Sequence, residues 1–67
     1  MEFSREELAE ARRQIDSILH KLRETIQTLE SKSEGGKRYR PQLTLAKRRV
    51  AALEIANQLI EREMTDS

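Results

Sequence analysis

Every glycine and proline in this chain lies in one short segment, and that punctuation constrains the fold more than any other feature. Gly35, Gly36 and Pro41 sit close together, while the stretches before and after them hold no helix breaker. Such a chain can build two long rods and one reversal.

Helical periodicity fills both rods. Leu8, Ala11, Ile15, Ile18, Leu19, Leu22, Ile26 and Leu29 recur mainly at steps of three and four, which at about 100° per residue gathers them into one stripe. Ser4 followed by Glu7 has capping-box spacing, and Phe3 with Leu8 has that of a hydrophobic staple. The first helix is therefore expected over about 5–33, closed by the Gly35-Gly36 turn, where glycine readily takes the left-handed conformation. Pro41 suits a first helical turn, so the second helix is expected over about 41–64, with 65–67 frayed. Its apolar line runs Leu43, Ala46, Val50, Leu53, Asn57, Ile60 and Met64. Folding at Gly36 sets Leu29 against Leu43, Ile26 against Ala46, Leu22 against Val50, Leu19 against Leu53, Ile15 against Asn57 and Leu8 against Met64. The fold class expected is all-α, a single antiparallel two-helix hairpin.

The second helix carries more apolar surface than the first can cover. Leu45, Ala52, Ala56 and Leu59, with Ile55 beside them, form a second line turned away from the hairpin seam. Chains of fewer than roughly 70–80 residues rarely bury enough apolar surface without a staple, metal or partner. With 67 residues and no cysteine, this chain lacks the covalent option. Self-association into a four-helix bundle, an antiparallel dimer of hairpins, is the expected closure.

Charge supports that orientation. Residues 32–49 carry a net +6, whereas residues 1–10 and 50–67 each carry −3. The turn end of a hairpin is then basic and the open end acidic, so antiparallel copies place unlike ends together. The expected interface comprises Leu45, Arg49, Ala52, Ile55, Ala56, Leu59 and Glu63. A register centred on Ala56 sets Arg49 opposite Glu63 of a second copy, and one centred on Ala52 sets Leu45 opposite Leu59. Asn57 interrupts the seam and is expected as a partly exposed amide, as a buried group that fixes register or oligomer number, or as a ligand contact.

The functional expectation is a small non-enzymatic interaction or assembly module, acting as a homo-oligomer and open to another protein partner. Its alternative is polyanion or nucleic-acid binding at the basic turn, through Lys37, Arg38, Tyr39, Arg40, Lys47, Arg48 and Arg49, with charges for phosphates and one ring for stacking. A near-neutral net charge of +1 and a pI of about 8.2 weigh against that alternative. Phosphate-binding loops, His-Glu-x-x-His and nucleophile-elbow motifs are absent from the sequence. His20, one turn after Asp16, reads as a solvated contact with it rather than a metal ligand, and no cofactor or metal is expected. Glu6 with Glu10, and Glu61 with Glu63, likewise read as solvated surface. The polar, acidic start of the chain is unlike a targeting peptide, and no apolar run is long enough for a membrane span, so a cytoplasmic location is expected.

Overall fold

The computed structural model describes residues 2–32 and 39–66, and it is an antiparallel hairpin of two helices. Helix α1 spans Arg5–Lys32 and α2 spans Arg40–Asp66. The two lie side by side in a rod with principal extents of 48 × 15 × 15 Å. Gly35, Gly36, Lys37 and Arg38, assigned above to the turn and its basic cluster, lie outside the described residues.

The start of α1 follows from its capping chemistry. The Ser4 N–H donates to Glu7 Oε1 at 2.9 Å, and the Glu7 N–H donates to Ser4 Oγ at 3.1 Å. The Leu8 N–H closes the first turn onto the Ser4 carbonyl at 3.0 Å. Backbone donation from Ser4, with a smaller side-chain contribution, holds the Glu7 carboxyl below its ordinary pKa. Helix α2 begins one residue earlier than Pro41 suggests, because the Tyr39 carbonyl accepts the Leu43 N–H at 2.8 Å and brings Arg40 and Pro41 into the first turn. It also outruns the expected fraying. Residues 65 and 66 are helical, and the Thr65 hydroxyl donates to the Glu61 carbonyl at 2.9 Å.

The burial pattern defines the seam. On α1 the protected line is Leu8, Arg12, Ile15, Leu19, Leu22, Ile26 and Leu29; on α2 it is Leu43, Ala46, Val50, Leu53, Asn57, Ile60 and Met64. Leu8, Leu19 and Ala46 are buried and the others half-buried. Both lines step strictly by alternating three and four residues, the spacing of a helix pair packed knobs into holes. Read outward from the turn, the steps of one line match those of the other, and the contacts of Arg12 with Glu61 and Asn57 with Asp16 agree with the register expected from folding at Gly36. In that register Arg12 falls level with Ile60, next to its ion-pair partner Glu61.

Two residues of the expected α1 stripe need reassignment. Ile18 is 47% exposed, because it follows Ile15 by three residues where the seam steps by four to Leu19. Ala11 is half-buried at the seam's edge, while Arg12 holds the seam position itself.

Two stability effects follow. Leu19→Ala should cost about 2–4 kcal/mol, and Ile18→Ala no more than about 0.5 kcal/mol, in urea melts followed by circular dichroism. Because Glu7 has a lowered folded pKa, its contribution is complete above the ordinary Glu value and disappears as pH falls through the folded one. Amide exchange at Glu7 and Leu8 should therefore accelerate, beyond its intrinsic pH dependence, on acidification through that range. Glu7→Gln should remove this transition.

Candidate interaction surface

The two flanks of the seam differ in chemistry. On one flank Asp16, Arg23 and Glu30 of α1 recur every seven residues and face Lys47, Glu54 and Glu61 of α2. Arg23 Nη2 meets Glu54 Oε2 at 2.9 Å, and Lys47 Nζ meets Glu30 Oε2 at 3.5 Å. Continuing that series would set Asp16 against Glu61, two carboxylates. Instead, the polar seam residues divide them. Asn57 Nδ2 donates to Asp16 Oδ1 at 2.7 Å, while Arg12 Nη2 approaches Glu61 Oε2 at 3.7 Å.

These contacts explain both polar interruptions of the seam. Asn57 is half-buried, and its Oδ1 is buried without a hydrogen-bond partner. A buried acceptor left unpaired costs about 1–3 kcal/mol, and an exposed ion pair contributes at most about 1 kcal/mol, so this flank favours one register more than it adds stability. Sliding α2 by one heptad sets Arg23 against Lys47 and Asp16 against Glu54, or else Glu30 against Glu54. Asp16 is thus engaged across the hairpin rather than by His20, whose Nε2 lies 2.8 Å from Glu24 Oε1 one turn onward.

The opposite flank carries no such belt. Leu45, Arg49, Ala52, Ile55, Leu59 and Glu63 are exposed on α2, and Ala56 is half-buried at the seam edge. Leu45, Ile55 and Leu59 retain 48%, 59% and 56% exposure. Within this surface Leu45, Arg49, Ala52, Ala56, Leu59 and Glu63 alternate steps of four and three, making a second complete seam turned roughly 110° from the first. Ile18 and Ala11 lie on the adjoining flank of α1, on the side away from Arg23 and Glu30. At the open end a notch of about 280 Å³ is lined by Phe3, Leu8, Leu59, Ile60 and Glu63. The staple partners Phe3 and Leu8 both border it, but Phe3 stays 55% exposed. Phe3 and Ile18 are thus the surface residues that pairing arguments alone do not place here.

The described basic residues do not converge. Tyr39 is half-buried, Arg40, Arg48 and Arg49 are exposed, and Lys47 is engaged by Glu30. Lys47, Arg48 and Arg49 are consecutive on a helix, so they fan over roughly 200° of its circumference instead of forming one patch. Among the described residues no three His, Asp or Glu side chains are grouped to hold a metal ion, and no helix is long and apolar enough to cross a membrane.

Replacing Asn57 tests the polar layer directly. Asn57→Leu removes the unpaired oxygen and should raise the unfolding free energy by about 1 kcal/mol in urea melts. Asn57→Asp places a carboxylate beside Asp16 and Glu61; it should destabilise the fold at neutral pH and recover as acid protonates the pair. No protein-family model, curated protein or solved structure matches this chain.

Proposed function

We propose that this chain is a non-catalytic assembly module whose exposed α2 face joins two hairpins into a four-helix unit. The observation that carries this reading is the second line on α2, where Leu45 and Leu59, with Ile55 beside them, stay about half exposed while α1 is engaged elsewhere. A contiguous apolar face on so small a protein is the usual mark of a protein contact.

The charge layout favours a second copy as the occupant. Helix α1 has Glu6 and Glu7 in its first turn and Lys32 in its last, as the helix dipole prefers. Helix α2 has the reverse arrangement: no acid in its first turn, no base in its last, Arg40 at its start and Asp66 at its end. Its own dipole is therefore poorly complemented, and its acidic end lies beside the acidic start of α1. An antiparallel copy brings Arg40, Arg48 and Arg49 toward Glu63 and Asp66, which relieves both conflicts.

The module acts by shape and charge recognition, with no chemical step. Sedimentation equilibrium should give a dimer mass at micromolar concentration. Leu45→Glu with Leu59→Glu should return a helical monomer, since charge would then be buried on the shared face. A wild-type chain that stays monomeric at several hundred micromolar would overturn the reading.

A further inference from the structure

We infer that two copies pair chiefly through α2, antiparallel, with the two-fold axis level with Glu54, so that Leu45 of each copy enters the other's Phe3–Leu59–Glu63 notch, which Leu8 of α1 also borders. This inference rests on the self-association reading and specifies its geometry.

The intrachain seam supplies the rule. Antiparallel lines with unequal steps form continuous layers only where a three-residue step faces a three and a four faces a four, as the α1 and α2 lines do. The outer line, Leu45, Arg49, Ala52, Ala56, Leu59 and Glu63, runs four, three, four, three, four. Set against its own reverse, all six positions match in one register only. Leu45 then faces Glu63 of the other copy, Arg49 faces Leu59, and Ala52 faces Ala56. Centring the pair on Ala52 or on Ala56 sets fours against threes and breaks the layers on both sides.

This intermediate register satisfies the two contacts that those alternatives would each favour singly. Arg49 lies one turn, roughly 6 Å along the axis, from Glu63 of the second copy, within reach of a guanidinium. Neither side chain has an ion-pair partner among the described residues. Leu45 lies one turn from the other copy's Leu59, and the notch borders both Leu59 and Glu63. Each end of the shared seam thus contains one leucine pair and one ion pair, while Ala52 and Ala56 let the helices approach closely between them.

Apart from Leu8 at the notch, helix α1 stays outside the contact. Its corresponding outer line is Glu7, Ala11, Gln14, Ile18, Lys21, Thr25 and Thr28, which has only Ala11 and Ile18 as apolar members. The α2 pair therefore forms the centre of the unit.

The absence of native cysteine makes the register directly measurable. After confirming a wild-type dimer by sedimentation, Ala52→Cys and Ala56→Cys chains are oxidised separately and as an equal mixture. The mixture should give the hetero-disulfide several-fold faster than either variant links to itself, because the juxtaposition needed for a disulfide falls between Cys at one position and Cys at the other. Preferential self-linking of either variant, or no linking by a proven dimer, would overturn the register and leave self-association standing. A monomeric wild type would overturn both. Independently, Arg49→Glu or Glu63→Arg alone should weaken association about tenfold or more, and mixing the two variants should restore it as a heterodimer. Parallel pairing predicts no such restoration.

Discussion

The alternating three- and four-residue seam between α1 and α2 is the constraint on which the rest of the molecule depends. A two-helix rod has one internal interface, and each helix shields only one strip of the other. Even there, only Leu8, Leu19 and Ala46 are buried, with the remaining seam residues half-buried. Stability is consequently spread thinly along about 40 Å of contact, the length of a helix the size of α1. End effects carry unusual weight in such a structure. The reciprocal Ser4 and Glu7 bonds belong with the seam in this respect, because fraying at either end removes whole layers.

Apolar packing alone would tolerate a heptad slip, since aliphatic residues repeat along both lines. The charged flank distinguishes the registers. Arg23 with Glu54 and Glu30 with Lys47 are favourable, but the same repeat would force Asp16 onto Glu61. Arg12 and Asn57 resolve that conflict from within the seam, each engaging one of the two acids. Both choices sacrifice apolar contact. They are intelligible as a cost accepted for a defined alignment, as polar residues at coiled-coil core positions often are.

Much of the hairpin is written in local chemistry. The caps, the breaker cluster and the mirrored apolar lines identify two helices and their pairing, because each signal acts over a few residues. Ile18 and Arg12 show where that approach fails. Hydrophobicity ranks Ile18 and Ala11 above Arg12, yet a helix pair selects by angular position, and strict alternation from Leu8 to Leu19 passes through Arg12 and Ile15. The same logic of near neighbours pairs Asp16 with His20, whereas its partner comes from the other helix. The outer α2 face is legible because Leu45, Ala52, Ile55 and Leu59 have no counterpart on α1. The alignment proposed for a second copy is not, since the layer rule emerges only once Arg12 is recognised as a seam residue.

The asymmetry between the helices limits how the molecule can be used. Helix α1 presents largely polar side chains outside its seam, and its terminal charges suit its own dipole. Helix α2 has a second apolar line and terminal charges opposed to its dipole, two features that weaken it as an isolated rod. In the proposed dimer an antiparallel partner helix would compensate both at once: its apolar line would cover Leu45 and Leu59, and its acidic end would reach the basic start of α2. The features least suited to the single hairpin are thus the same ones that complement a second copy. In that proposed arrangement α1 would lie behind the helix that makes the contact.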